Sequence, residues 1–279
     1  MQTVRSLEVL GEALSAFRAA GLRVALVPTM GALHAGHMAL VEEAKLAADR
    51  VVVSIFVNPT QFAPSEDFGT YPRREMADSR MLTSAGVDIL WMPSVEEMYP
   101  NGPVIDVRAS EIGDVLDGAH RPGHFDGVTT VVARLFDQVQ PDVALFGEKD
   151  WQQLAVIRRM AVDLKLDLEI RGVPTQREDD GLALSSRNIY LMDEDRAKAV
   201  TLPRALGAAE RAIATGGDPA AALAQAIDTL NAAGFDVDYV ELRDAATLGA
   251  PVAGQTMRLL AAAKIGGTRL IDNIAVDTE

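Results

Sequence analysis

Short apolar runs alternate with amphipathic stretches in this chain, and this alternation limits its fold more than any other feature. Residues 23–27 and 51–57 are apolar and rich in valine, which is typical of buried parallel strands. Residues 37–50 lie between them and carry apolar side chains at close to the spacing of one helix face. The three segments together predict a β-α-β unit, in which a helix connects two parallel strands.

The same alternation continues to about residue 174. Helices are predicted at 7–20, 78–85, 125–138 and 147–164, and strands at 88–92, 143–146 and 168–173. Residues 93–124 are rich in Pro and Gly, and we expect an irregular excursion there. Repeated strand–helix alternation predicts an α/β fold whose parallel sheet is covered on both faces.

The last third of the chain has a different pattern. Two alanine-rich helices are predicted at 193–214 and 219–233, and strand-like segments follow at 237–242, 257–262 and 268–274. Helices followed by a short run of strands indicate a small α+β domain. We therefore expect two domains, a parallel-sheet domain at 1–175 and a smaller α+β C-terminal domain at 176–279.

Composition excludes several classes of function. The chain has 279 residues, of which 48% are hydrophobic, so it can bury a substantial core. It contains no run long enough for a membrane span and no signal-peptide pattern, and the absence of cysteine is compatible with a reducing cytoplasm. A net charge of −14 opposes binding to nucleic acid. We expect a cytoplasmic protein that acts on small molecules, without a nucleic-acid or membrane partner.

The loop at 28–37 is the first candidate site. It contains Gly31 and Gly36, leads into a helix N-terminus, and adds the two imidazoles of His34 and His37. Backbone N–H groups and the helix dipole at such an end suit phosphate binding. The loop is neither a Walker A sequence nor Gly-x-Gly-x-x-Gly. Two alternatives remain open, ordinary loop histidines or half of a zinc site that only His120 and His124 could complete.

Three other polar segments follow predicted strands or the domain junction. Asn58 and Gln61 come after the second buried strand, on the same side of the sheet as the histidines, and their amides could orient a carboxylate or hydroxyl. Residues 147–153 offer Lys149 for polyphosphate and Asp150 for magnesium, with Gln153 one helical turn further. Residues 180–188 contain two serines and Arg187, which suit phosphate. The alternatives are an Asn-Pro turn, a helix N-terminus with favourably placed acids, and a helix cap.

These segments together resemble the pantothenate synthetase family, the pantoate–β-alanine ligases. The matching stretches occur in family order at 27–37, 56–62, 121–128, 146–150 and 180–188. His-x-Gly-His and Ser-Ser-Arg are also similar to the two ATP-binding signatures of the nucleotidyltransferase superfamily, which includes class I aminoacyl-tRNA synthetases. The resemblance implies a Rossmann-like nucleotidyltransferase domain at 1–175 that binds ATP and pantoate, with residues 176–279 closing over the site.

The resemblance also implies an activity. It is the ATP-dependent condensation of (R)-pantoate with β-alanine through a pantoyl-adenylate, which releases AMP and pyrophosphate, requires Mg²⁺ and belongs to pantothenate and coenzyme A biosynthesis. It further implies a homodimer. The residues expected to neutralise the triphosphate and support catalysis are His34, His37, Lys149 and Arg187, and His37 matches the family's proton donor.

The ligand contacts are carried over residue by residue. ATP contacts are expected at Met30, Gly31, Ala32, Leu33, His34, Ala35, Gly36, His37, Gly147, Glu148, Lys149, Asp150, Gln176, Leu184, Ser185, Ser186 and Arg187. Asn58, Gln61 and Gln153 are expected to bind pantoate, Gln61 is also associated with β-alanine, and Asp150 is expected near Mg²⁺ held by the ATP phosphates. One departure is Gln176, whose position is often apolar in the family.

Two other functions remain open from the sequence. A different small-molecule adenylyltransferase of the His-x-Gly-His class would transfer AMP to a phosphate and would need no amine acceptor. A non-catalytic nucleotide-binding regulator would bind ATP without releasing pyrophosphate. The presence of both histidines, Lys149 and the Ser-Ser-Arg segment argues against the regulator.

Overall fold

The computed structural model describes residues 1–64, 66–252 and 254–277. By the density of their contacts these residues form two compact units. The first unit comprises 1–148 and 156–174, and the second comprises 149–155 and 175–277 of the described chain. The short segment 149–155 therefore belongs with the C-terminal part of the chain, although it lies within the first 175 residues.

The first unit is built on a parallel six-stranded sheet. Its strands are β1 (Gln2–Val4), β2 (Val24–Thr29), β3 (Arg50–Ile55), β4 (Ile89–Trp91), β5 (Val143–Gly147) and β6 (Glu169–Val173), in the order β1-β4-β3-β2-β5-β6. Its helices are α1 (Leu7–Ala19), α2 (Ala35–Ala47), α3 (Glu75–Ser84), α4 (Val95–Met98), α5 (Asp117–His120) and α6 (His124–Val139). Helix α7 (Trp151–Asp163) begins with residues of the second unit and ends with residues of the first. The predicted parallel α/β sheet is confirmed.

The strand order locates a topological switch point between β2 and β5. From β2 the chain builds the sheet outward through β3 and β4, whereas β5 and β6 extend it on the other side. Loops at the carboxyl ends of two such strands leave a crevice in which ligands of open α/β sheets bind. Thr29 of β2 pairs in register with Ile55 of β3, so the segments that follow these strands emerge at the same edge.

The core of the first unit explains why these segments become buried strands. Val27, Val53 and Leu90 from three neighbouring strands are almost completely buried, and Leu40 and Val41 of α2 pack against the same cluster. Both faces of these strands are covered, which accounts for the continuous apolar runs in the sequence.

The second unit is a smaller α+β structure. Its elements are α8 (Asp193–Ala199), α9 (Thr201–Ala214), α10 (Pro219–Ala232) and the antiparallel strands β7 (Asp236–Asp244), β8 (Met257–Ile265) and β9 (Thr268–Val276), in the order β7-β8-β9. Apolar residues of α9 such as Leu202, Leu206 and Ile213 share one core with the sheet.

The element boundaries differ from the prediction at several points. The predicted helix 147–164 begins only at Trp151, because Gly147 is the last residue of β5 and Glu148–Asp150 form a 3₁₀ turn. The predicted helix 193–214 is divided at Val200, because Pro203 lacks the N–H that a continuous helix would direct to Ala199 and its ring conflicts with that turn. Residues 93–124 contain the short helices α4 and α5 within otherwise irregular chain. Strand β1 was not predicted, because its three residues are too few for a periodic signal.

Candidate active site

The loop between β2 and α2 is held in one conformation by a buried carboxylate. Asp78 of α3 is 2% exposed, and its two oxygens accept the N–H groups of Ala32 and Leu33, each at 2.9 Å. Gly31 has φ +83°, a conformation that disfavours any other residue type, and an added Cβ would lie 3.1 Å from Ile55 Cγ2. The loop that carries the histidines is therefore fixed before any ligand binds.

His34 and His37 form a capping box at the start of α2. His34 Nδ1 accepts the N–H of Gly36 at 3.1 Å, and His37 Nδ1 accepts the N–H of His34 at 3.3 Å. The ring centroids are 4.1 Å apart. A backbone N–H can only donate, so both Nδ1 atoms present a lone pair and the proton of each neutral ring lies on Nε2.

This arrangement gives α2 two neutral imidazole donors at its N-terminus. Such an end already favours anions through its dipole and its backbone N–H groups. Each Nε2–H adds a side-chain donor. An imidazolium would also donate from Nε2, but its protonated Nδ1 could not accept the backbone N–H, so the cap would be lost. The site can therefore donate hydrogen bonds to phosphate oxygens while its histidines remain uncharged.

Asn58 and Gln61 lie after β3 and are linked to each other. Asn58 is fully buried, and its Nδ2 donates to Gln61 Oε1 at 3.0 Å and to the Gly127 carbonyl at 3.1 Å. Its Oδ1 accepts the Tyr99 hydroxyl at 2.7 Å. Gln61 Nε2 in turn lies 3.3 Å from Met30 Sδ in the loop between β2 and α2. The structure therefore joins these two predicted sites at one edge of the sheet, with Asn58 behind Gln61.

Three ionisable side chains, Glu66, Arg121 and His124, are bonded in series and end at the main-chain carbonyl of Gln61. Glu66 accepts two hydrogen bonds from the Arg121 guanidinium, at 2.7 and 2.8 Å, and Arg121 Nη1 lies 2.9 Å from His124 Nε2. His124 Nδ1 lies 2.8 Å from the Gln61 carbonyl, which can only accept, so the imidazole carries its proton on Nδ1. Burial acts to raise the pKa of Glu66, but the hydrogen bonds and charge of Arg121 hold it below its ordinary value.

The close approach of α6 to this segment requires a glycine. An added Cβ at Gly127 would lie 2.3 Å from the carbonyl oxygen of Thr60 and 2.7 Å from the backbone nitrogen of Gln61. Gly127 is therefore the contact that lets α6 pack directly against the Pro59–Gln61 turn.

Of the other predicted site residues, Gly147 at the end of β5 and Glu148 belong to the first unit, and the rest belong to the second. Lys149 Nζ lies 4.0 Å from Asp150 Oδ2, and the two side chains are 18% and 47% exposed. Gln153 is half-buried near the start of α7, and Gln176 is exposed, with its carbonyl accepting the N–H of Leu184 at 2.9 Å. Ser185 caps the short 3₁₀ helix Ser186–Tyr190 by accepting the N–H of Arg187 at 3.2 Å.

Comparison with known proteins identifies the family of this chain. The family model for pantoate–β-alanine ligase matches residues 2–275. The chain belongs to the pantoate–β-alanine ligase family. A pantothenate synthetase of Rhizorhabdus wittichii is 60% identical over 280 residues, which cover 99% of each chain. One of Sphingopyxis alaskensis is 56% identical over 278 residues, covering 99% of this chain and 100% of the relative.

Solved structures agree with this assignment. A pantothenate synthetase of Thermus thermophilus has a TM-score of 0.92 at 48% identity, covering 99% of each chain. A pantoate–β-alanine ligase of Francisella tularensis, crystallised with β,γ ATP and β-alanine, has a TM-score of 0.83 at 34% identity, covering 100% of this chain and 99% of that one. Members of this family are ligases that form a C–N bond.

Two supports of the candidate site were missed in the sequence. Asp78 and Tyr99 contact loop atoms that are 46 and 41 residues away, so no local pattern indicates their partners. Arg121 and His124 lie in one of the family motifs, but the sequence assigned Arg121 no role and His124 only the zinc alternative. The structure shows them bonded to Glu66 and to the Gln61 carbonyl.

Among the residues described, no group of three or more His, Asp or Glu side chains is arranged to hold a metal ion. The ring nitrogens of His124, one of the two histidines that the zinc alternative needs, lie 2.9 Å from Arg121 Nη1 and 2.8 Å from the Gln61 carbonyl. Asp150 is a half-exposed carboxylate beside Lys149. Magnesium characteristically takes one or two carboxylates together with substrate phosphates and water, so this carboxylate fits an ion that arrives with ATP.

The histidine that supports Gln61 predicts a pH dependence of stability. Burial lowers the pKa of His124 to about 4, and the charge of Arg121 acts in the same direction, whereas the ordinary value is 6.5. Between these two values the unfolded chain binds one more proton than the folded chain. The free energy of unfolding should therefore fall by about 3 kcal/mol from this group as the pH is lowered through the window.

Urea unfolding at several pH values measures this effect. His124→Asn is the matched control, because the asparagine amide can still donate to the Gln61 carbonyl but does not titrate. The wild-type chain should lose more stability than the variant between about pH 6.5 and pH 4. Parallel pH profiles for the two proteins would contradict the assignment of a neutral His124.

Proposed function

We propose that this chain joins (R)-pantoate to β-alanine with consumption of ATP, forming pantothenate for coenzyme A biosynthesis and releasing AMP and pyrophosphate. The observation that carries the proposal is the histidine capping box at the β2–β5 switch point, linked through Met30 to Gln61. Anion donors and a carboxylate-orienting amide lie at the same edge of one sheet. This is the combination that activation of a carboxylate by ATP requires.

The triphosphate is bound by donors and charges from several segments. His34 and His37 donate through Nε2, and Lys149 and Arg187 supply positive charge. The further ATP contacts are residues 30–37, Gly147, Glu148, Asp150, Gln176 and residues 184–186. Neutralisation is necessary because an anionic carboxylate must approach an anionic phosphate. Mg²⁺ held by the phosphates and Asp150 would supply further positive charge.

Pantoate is oriented by uncharged amides. Gln61 and Gln153 bind its carboxylate and hydroxyl groups. Asn58 was expected to bind pantoate as well, but its side chain is fully buried and bonded to Gln61, Gly127 and Tyr99, so we propose that it acts by fixing the side chain of Gln61. Neutral amides orient a carboxylate without the strong stabilisation that a guanidinium would give, so the oxygen remains nucleophilic. β-Alanine binds near Gln61 after pyrophosphate leaves.

The reaction then takes two displacements. One pantoate carboxylate oxygen bonds to the α-phosphorus, the bond from that phosphorus to the bridging oxygen breaks, and pyrophosphate leaves. His34 and His37 stabilise the charge that develops on the departing oxygens by donating from Nε2. The amine of β-alanine then attacks the acyl carbon and loses a proton as the C–O bond to AMP breaks.

We also propose a cytoplasmic homodimer as the working form. The proposal rests on the resemblance and on the absence of cysteine from the sequence. In the part of the chain that the structure describes, no helix is both long and apolar enough to cross a membrane.

Isotope transfer tests the adenylate route. With both carboxylate oxygens of pantoate labelled with ¹⁸O, one label should appear in AMP and the other in the amide of pantothenate. Mass spectrometry of both products measures this. An acyl-phosphate route would send the label to inorganic phosphate, and unlabelled AMP would overturn the mechanism.

Measuring pyrophosphate release and pantothenate formation separates the proposed reaction from the two other functions. A different adenylyltransferase would release pyrophosphate without β-alanine and would form no pantothenate when the amine is added. A nucleotide-binding regulator would bind ATP and release no pyrophosphate with pantoate present.

A further inference from the structure

Two consecutive polar residues of β9, Asp272 and Asn273, are buried although neither belongs to a motif found in the sequence. They are 3% and 4% exposed. A buried carboxylate or amide costs free energy unless its hydrogen bonds are made, so their partners explain their presence. The partners lie in two separate segments of the second unit, and both segments carry proposed ATP contacts.

Asn273 holds the main chain at Lys149. Its Nδ2 donates to the Lys149 carbonyl at 2.8 Å, and its Oδ1 accepts Arg258 Nε at 2.6 Å. Arg258 also stacks on the indole of Trp151, with Cζ 3.5 Å from the ring centroid. Trp151 Nε1 donates to the Ala245 carbonyl at 2.8 Å. The segment that presents Lys149 is therefore fixed at residue 149 and again at residue 151.

Asp272 holds the hairpin that leads to Ser185. Its two oxygens accept Arg177 Nη1 and Nη2 at 2.7 and 2.8 Å, and Arg177 Nη1 also donates to the Gly181 carbonyl at 3.0 Å. Residues 176–184 form a tight hairpin in which Arg177 pairs with Ala183. Backbone bonds from Glu178 to Leu182 and from Leu184 to Gln176 continue the pairing. The bidentate ion pair therefore ties this hairpin, and with it the start of the Ser185–Arg187 segment, to β9.

A single rigid strand connects the two anchors. Asp272 and Asn273 pair with Ala261 and Leu260 in the middle of the antiparallel sheet. Because one peptide bond separates the anchors, the two segments cannot shift independently while the sheet is intact.

We propose that Asp272 and Asn273 are positioning residues for ATP, which set the placement of the Lys149 segment and the 176–187 segment relative to each other. This inference rests on the proposed function. A displacement of about 1 Å in groups that bind reacting phosphates can cost about 100-fold in rate, so the anchors should matter to ATP use far more than to folding alone.

The Asn273→Asp variant tests the proposal. It keeps an acceptor for Arg258 but replaces the donor to the Lys149 carbonyl with a repelling carboxylate oxygen. We expect ATP affinity, measured calorimetrically with MgATP in the absence of pantoate, to fall about 30- to 100-fold. We expect kcat/KM for ATP to fall similarly, with the KM for pantoate changed less than about threefold. Asp272→Asn should weaken ATP binding about 10-fold through loss of the ion pair with Arg177.

Val276→Ala is the matched control for a merely structural effect. Val276 is a fully buried apolar residue of the same strand, so the variant destabilises the sheet without removing either anchor. It should lower the melting temperature and leave ATP affinity within about twofold of the wild type. An Asn273→Asp variant that binds ATP as well as Val276→Ala would overturn the positioning role.

The ATP-binding measurement separates this proposal from the proposed function. A wild-type chain that binds ATP but makes no pantothenate would contradict the proposed reaction. The comparison of Asn273→Asp with Val276→Ala would then still decide whether the anchors position the nucleotide.

Discussion

Replacing His37 with asparagine should slow adenylate formation about 1000-fold and leave the protein as stable as the wild type. The asparagine Oδ1 can take the place of Nδ1 and accept the His34 N–H, so the capping box is retained. It offers no donor at the position of Nε2, and that donor is the group assigned to the phosphates. Single-turnover release of pyrophosphate with ATP and pantoate measures the rate of adenylate formation. Thermal unfolding measures whether the helix cap still contributes its stability.

His37→Ala and the two equivalent variants of His34 complete the experiment. His34 is the N-cap of α2, and asparagine is a preferred residue there, so His34→Asn retains the cap. His34→Ala should cost about 1 kcal/mol of stability. All four variants should be folded and strongly impaired in pyrophosphate release, and only the alanine variants should be less stable. Near-normal release from either asparagine variant would show that the histidines serve only to cap the helix.

Replacing Gly127 with alanine should cost about 3 kcal/mol of stability and at least tenfold in kcat/KM for pantoate. The added Cβ would lie 2.3 Å from the Thr60 carbonyl oxygen, so α6 or the Pro59–Gln61 turn must move. A shift of that turn displaces Gln61 directly. Urea unfolding gives the first quantity, and initial rates at saturating ATP give the second.

Gly11→Ala is the matched control for this substitution. Gly11 lies within α1, where nothing is within 4 Å of an added Cβ, so alanine there should raise stability by up to about 1 kcal/mol. A Gly127→Ala variant with wild-type stability and pantoate kinetics would contradict the close packing of α6 on the turn.

Local patterns in the sequence were sufficient for five of the six strands of the parallel sheet and for the loops that leave them. Strands were predicted at 23–27 and 51–57, close to the observed Val24–Thr29 and Arg50–Ile55, because both faces of these strands are buried and burial leaves an apolar run that a single sequence displays. The position of His34, Asn58 and Gly147 at strand ends followed from the same pattern and from the general rule for ligand sites in such sheets.

The supports of the site could not be predicted in this way. Asp78, His124 and Asn273 act on atoms that are 46, 63 and 124 residues away in the chain. A lone Asp, His or Asn in a helix or strand has many possible partners, and only the folded structure selects one. The helix break before Pro203 is different, because its cause is local. The missing N–H of the proline is visible in the sequence, but the apolar residues keep helical spacing on both sides of Val200, so one continuous helix was predicted.

Because residues 149–155 belong to the second unit, the points at which two related chains can recombine are restricted. Neither unit is one continuous stretch of sequence, since the segment with Lys149 lies between β5 and β6 and is bonded to Ala245 and Asn273. A recombination event that exchanged only the C-terminal hundred or so residues would separate Lys149 from the side chain that holds it. We expect that viable chimaeras of two relatives must take this seven-residue segment from the same parent as β7 and β9.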